Sequence, residues 1–86
     1  MMTDKTSTIQ NESPIQPGRY RHFKGKEYEV IGEVIHSETE ELLVLYRPLY
    51  GEGKLWVRPK AMFLELVDRD GRQIQRFSYL GPHISE

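Results

Sequence analysis

Residues 18–81, GRYRHFKGKEYEVIGEVIHSETEELLVLYRPLYGEGKLWVRPKAMFLELVDRDGRQIQRFSYLG, decide the fold. Short alternating or continuous apolar runs follow one another, broken only by glycine- or acid-rich turns, which is the pattern of closely spaced β-strands. EYEVIGEVIHS at 27–37 alternates: Tyr28, Val30 and Val34 mark one face, and Glu27, Glu29 and Glu33 mark a solvated one. Gly32 in its middle suits a bulge or sharp bend. LLVLYRPLY at 42–50 is apolar at both parities and predicts a central strand covered on both sides, with Pro48 limiting pairing at its far end.

Around these two runs the other elements fall into place. GRYRHFK at 18–24 is a short first strand, and Gly25-Lys26 makes the turn after it. Residues 38–41 (ETEE) form a charged turn, Gly51-Glu52-Gly53 a hairpin loop, and KLWVR at 54–58 the returning strand. Pro59 opens a single helical turn near 59–62. FLELVD at 63–68 and RQIQRFSYL at 72–80 are two last strands joined by Asp70-Gly71, the strongest hairpin signal in the chain. The expectation is an all-β fold: a small SH3-like barrel of about five to six antiparallel strands with one short helical turn. Most apolar side chains are then consumed by the core.

An 86-residue chain holds one domain and buries only about 60% of its unfolded surface. Residues 1–17 carry just four aliphatic or Met side chains, Met1, Met2, Ile9 and Ile15, and are expected to be a disordered tail; 18–81 form the domain and 82–86 fray. The chain has 12 basic and 13 acidic residues, and outside the tail the balance is 11 to 11. A nucleic-acid domain usually shows a basic surplus, so recognition of an anion has to come from a local patch. Seven of the 12 cations are arginine, the better residue for bidentate or stacked contacts. The absence of cysteine removes disulfides, thiolate catalysis and cysteine zinc sites, and fits a cytoplasmic location. No export signal or bilayer-spanning run is read, so no membrane partner is expected.

The strings YRHFKGKEYEVIG, HSETEELLVLYRPLYG, LWVRPKAMFLE and RFSYLG, in this order and spacing, resemble the bacterial family catalogued as domain of unknown function 1653, over residues of about 18–81. The resemblance implies an SH3-like β-barrel in a small cytoplasmic protein. It implies no activity and carries no catalytic residue.

Chemistry has few candidates. His22, His36 and His83 have no metal-ligand spacing, and His36-Ser37 point to opposite faces of a strand, so neither a metal site nor a nucleophile is expected. The carboxylates lie in turns or on a solvated strand face, where nothing raises their pKa. The hairpin at 42–58 is more informative. A two-residue turn at Gly51-Glu52 sets Tyr46 opposite Val57 and Arg47 opposite Trp56. Leu42, Val44, Tyr46, Leu55 and Val57 then face the core, while Arg47, Trp56 and Arg58 share an outer face suited to an anion or a stacked base. A three-residue loop reverses the parity and separates Arg47 from Arg58. The bland alternative pairs these arginines with Glu29, Glu33 or Glu65. Tyr20-Arg21-His22-Phe23-Lys24 interleaves aromatic and basic residues, as single-strand binding surfaces do, although alternate side chains point apart.

The sequence thus points to a non-catalytic binding module without a cofactor. Its ligand would be nucleic acid, a nucleotide or another anionic partner, met by Arg47, Trp56, Arg58, Tyr50, Arg21 and His22. The alternative is a protein-interaction or accessory subunit, a monomer or weak homo-oligomer, that docks through an apolar strand face containing Leu43 and Leu45.

Overall fold

The computed structural model describes residues 13–83. Among them are seven strands and one short helix: β1 (Gly18–His22), β2 (Glu27–Ile35), β3 (Leu42–Pro48), β4 (Trp56–Pro59), α1 (Lys60–Phe63), β5 (Leu66–Arg69), β6 (Arg72–Gln75) and β7 (Phe77–Gly81). The fold is all-β. Five strands form an antiparallel sheet in the order β4-β3-β2-β1-β7, and β5 and β6 form a separate two-stranded sheet. The helix is too short to cross a membrane.

Local chemistry explains most boundaries. The Asp70-Gly71 turn joins β5 to β6 as expected: both residues have positive φ, 55° and 78°, the combination of a type I′ turn. Residues 72–80 do not run as one strand, because the backbone of Arg76 leaves the ladder. Its N–H donates to the Glu65 carbonyl at 3.2 Å and its carbonyl accepts the Phe23 N–H at 2.9 Å. Pro59 ends β4 just before the helix rather than opening it, and Phe63 completes the helix rather than starting a strand. Gly18 has φ 142°, and a Cβ there would lie 2.6 Å from the Gly81 carbonyl oxygen, so β1 can meet the end of β7 only through glycine.

One side of the five-stranded sheet, the inner face, holds the core. Tyr20, Val30, Val44, Tyr46, Phe63 and Phe77 are buried in one cluster. The helix delivers Phe63 onto Phe77, with the rings stacked at 4.1 Å and 1° apart. Ile15 completes this cluster. Residues 13–17, expected above to be part of a disordered tail, therefore pack on the body, because one apolar side chain and three hydrogen bonds of their backbone, with Glu33, Lys60 and Tyr20, hold them. Residues 1–12 and 84–86 of the tail and frayed-end expectations lie outside the described residues.

The bulge expected at Gly32 is present between Val30 and Gly32. It has a consequence that simple alternation misses. An extra residue reverses the faces beyond it. Glu33, opposite Val44, turns inward, and Val34, opposite Leu43, turns outward. Glu33 is thus not part of the solvated face of Glu27 and Glu29. Its Oε2 lies 2.6 Å from the Lys60 ammonium, which is buried at the start of the helix. The same oxygen accepts the Ile15 N–H at 2.6 Å, and Lys60 also donates to the Ser13 carbonyl. This ion pair fastens the N-terminal segment to the sheet.

Burial pushes the Glu33 carboxyl up, but the Lys60 ammonium and the Ile15 N–H outweigh it, and the group ends below its ordinary range. A depressed carboxylate pKa contributes stability that is present above the unfolded value and lost as pH falls through the folded one. Wild type is therefore expected to lose stability in urea denaturation as pH drops below about 4.5, the ordinary value for this group, and Glu33→Gln to lose less over the same interval. At neutral pH, Glu33→Gln strands the deeply buried Lys60 and is expected to cost about 3 kcal/mol. Lys60→Met leaves Glu33, the more exposed partner, in reach of water and costs clearly less. The opposite order would show that the pair does not anchor the segment.

Candidate functional site

The connection between β3 and β4 settles which side chains meet. Tyr46 pairs with Trp56, Leu45 with Val57 and Val44 with Arg58. This is the parity of the odd-numbered loop, one residue away from the two-residue turn. Pro48 has no N–H and closes the ladder, Leu49 N–H bonds instead to the Glu27 carbonyl at 3.0 Å, and the chain needs residues 49–55 to return. Trp56 and Arg58 therefore lie on the inner face with Tyr46. Val57 points outward and is 53% exposed, so it does not face the core; Leu55, also assigned to the core above, is exposed as well.

At one end of the inner face the rings crowd around Tyr28. Its centroid lies 5.7 Å from Tyr46, 5.7 Å from Tyr50, 6.3 Å from Trp56, 5.6 Å from Phe77 and 6.5 Å from His22. Four of these contacts are edge-on and the one with Trp56 is tilted, arrangements that aromatic quadrupoles favour. The Tyr28 and Tyr50 hydroxyls are 3.0 Å apart and hydrogen-bonded. Burial, followed by that bond and the neighbouring phenols, pushes the Tyr28 hydroxyl up to about 12. Tyr50 and Trp56 keep 40% and 45% of their surface exposed, so two rings of the cluster are open to a ligand. Between them, with Pro48 and the Glu52–Lys54 ion pair, lies an open hollow of about 220 Å³.

The cations of this face are placed by the rings. Arg58 Nε donates to the Tyr46 hydroxyl at 3.2 Å, and its guanidinium sits 5.8 Å over Phe77. The Lys26 ammonium lies 4.6 Å over Tyr50. Among the described residues Arg58 has no carboxylate partner. The outer face differs. Arg21 and Arg19 both pair with Glu27, at 3.1 and 3.3 Å, and Arg47 pairs with Glu29 at 2.8 Å. The structure thus brings Trp56, Arg58, Tyr50 and His22 to one site and leaves Arg47 and Arg21 on the far side of the sheet, where Arg47 pairs with Glu29 and Arg21 shares Glu27 with Arg19. Arg47 takes the bland role, and the shared face for Arg47, Trp56 and Arg58 does not form.

Sequence reasoning placed Tyr28 on the apolar face of its strand, Tyr46 in the core and Lys26 in the turn after the first strand. The signal for a different role was their chemistry. An inward-pointing tyrosine carries a hydroxyl that needs a partner, and here those partners are Tyr50 and Arg58. At the other end of β2, His36 caps the turn that follows: its Nδ1 accepts the N–H groups of Glu38 and Thr39 at 3.1 and 3.3 Å. No group of three metal-ligating side chains occurs among the described residues.

Tyrosine-selective ¹³C NMR across an alkaline titration tests the cluster. Tyr28 is expected to ionise near 12, and Tyr50→Phe to bring it down by removing both the hydroxyl bond and the neighbouring phenolate. An unchanged Tyr28 titration in that variant would contradict the geometry.

The comparisons with known proteins follow the same fold. The model of the family described as "Protein of unknown function (DUF1653)" matches residues 18–79. A crystal structure of a DUF1653 protein from Bordetella bronchiseptica superposes with a TM-score of 0.72 at 32% identity, covering 84% of this chain and 94% of that one. No curated protein matches the chain. With most of its length under the family model and a solved member of the same architecture, the chain belongs to the DUF1653 family.

Proposed function

We propose that the protein is a non-catalytic, cytoplasmic binding module, an SH3-like barrel whose inner-face cluster takes a nucleotide or single-stranded nucleic acid. The observation that carries this reading is the meeting of the two exposed rings, Tyr50 and Trp56, with Arg58, a cation without a carboxylate among the described residues. A base stacks on Trp56 or Tyr50, contributing about 1–3 kcal/mol. Arg58 and Lys26, already oriented by Tyr46, Phe77 and Tyr50, meet the phosphates. Preorganised cations of this kind lose little side-chain freedom on binding. The reading is compatible with the formal net charge of −1: with only about two phosphates contacted, the salt dependence is shallow, roughly −1.4 in log K against log salt for a single strand.

Titration of Trp56 fluorescence with oligothymidylate at low salt tests the proposal. Quenching with micromolar or tighter affinity is expected, weakened about tenfold or more by Arg58→Ala, a loss of the size of one charged hydrogen bond. Arg47→Ala is expected to have little effect. Absence of any response, or equal sensitivity to Arg47→Ala and Arg58→Ala, would sink it.

A second reading, docking of a protein partner, rests on the outer face, where Val57 stands beside Leu45 and Ile31 is 42% exposed. Leu43 on the same face is buried, which reduces the patch. Light scattering at high concentration measures its self-associating form, and a clean monomer counts against that form.

A further inference from the structure

His22 shares its aromatic support with Arg58. The His22 ring stands edge-on to Phe77 at 5.0 Å, and the Arg58 guanidinium lies 5.8 Å over that same ring. His22 Nδ1 accepts the backbone N–H of Lys24 at 3.1 Å, so the neutral ring carries its hydrogen on Nε2. The groups around it come from every neighbouring element. Arg58 stands on β4, Arg76 in the break between β6 and β7, Lys24 in the turn after β1, and Tyr28, uncharged at neutral pH, on β2. Arg76 Nη2 bonds Glu65 at 3.2 Å, but its buried Nε has no partner among the described residues. No ion pair joins a carboxylate to His22 among those residues. Burial, then Arg76, Arg58 and Lys24, hold the imidazole below its ordinary range.

An imidazole among cations resists a further positive charge, and a bound oxyanion removes that resistance. By reciprocity, whatever makes the anion favour the protonated ring makes the proton favour the anion. We infer that His22 is a proton-linked contact for the oxyanion held by Arg58, binding with uptake of a proton, so that affinity rises as the solution is acidified. The inference rests on the ligand-binding reading above and assigns a residue and a pH response to it. Protonation adds the second hydrogen at Nδ1, so the Lys24 N–H loses its acceptor, while Nε2–H, already a donor in the neutral ring, now offers the anion a charged hydrogen bond. The same chemistry serves a backbone phosphodiester and a free oxyanion.

Two probes distinguish those sources. Octathymidylate keeps its phosphodiester charge across the working range, and its binding to the full chain is followed by Trp56 fluorescence between pH 8 and 5.5. Sulfate is followed through the His22 ring resonances. Affinity for octathymidylate is expected to rise roughly tenfold over that range in wild type. The slope should vanish in His22→Gln and persist in His36→Gln and His83→Gln. Binding that is independent of pH, or an equal slope in His22→Gln, overturns the inference while leaving the ligand-binding reading in place. If octathymidylate fails to bind but sulfate raises the His22 titration midpoint, the proton-linked oxyanion site stands and the nucleic-acid reading falls. If neither probe acts, both fall.

Discussion

The pairing of Tyr46 with Trp56 is the constraint on which the inner face depends. A β-strand has a strict period of two, so a slip of one residue between β3 and β4 would exchange Trp56 and Arg58 for Leu55 and Val57. Tyr46 would then lose the partner of its hydroxyl, Arg58 would lose Phe77, and Tyr28 would lose the ring that flanks it on the open side. Two features oppose the slip. Pro48 ends the ladder at one side of the hairpin, and Pro59, opposite Leu43, ends it at the other.

Charge is distributed by face. On the outer face Arg19, Arg21 and Arg47 interleave with Glu27 and Glu29 across neighbouring strands, and these exposed pairs contribute little individually. At the closed end of the inner face the bulge turns Glu33 toward Lys60, and the pair holds residues 13–17 over the core. At the open end no carboxylate balances Arg58 among the described residues. Arg58, without a carboxylate among the described residues, thus shares the inner face with Trp56, one of the most exposed rings. That coincidence is what supports the proposed recognition of an anion with a flat, stackable group.

Much of this was legible in the sequence, and the failures have identifiable causes. Asp70-Gly71 was readable because two consecutive positive φ values admit few residue types. Gly32 marked the bulge, but period-two reasoning carried the faces straight through it and left Glu33 outside. The β3–β4 register was undetermined because Leu42, Val44 and Tyr46 are as apolar as Leu43 and Leu45, so burial could not choose between parities. Ile15 was lost because a polar segment is judged by its average, whereas one buried side chain and three hydrogen bonds of the segment's backbone dock it. Of the six site residues, the four that converge were found by side-chain type. Arg21 and Arg47 were separated from them by register, which is a property of pairing and not of composition.

The central claim is that recognition takes place on the inner face around Tyr28. Side-chain and amide chemical-shift mapping with oligothymidylate addresses it most directly, because both faces are observed in one experiment. The account predicts that shifts concentrate on His22, Tyr28, Tyr50, Trp56 and Arg58 and spare Arg19, Arg21 and Arg47. Perturbations centred on the outer charge ladder, or none at all, would contradict it.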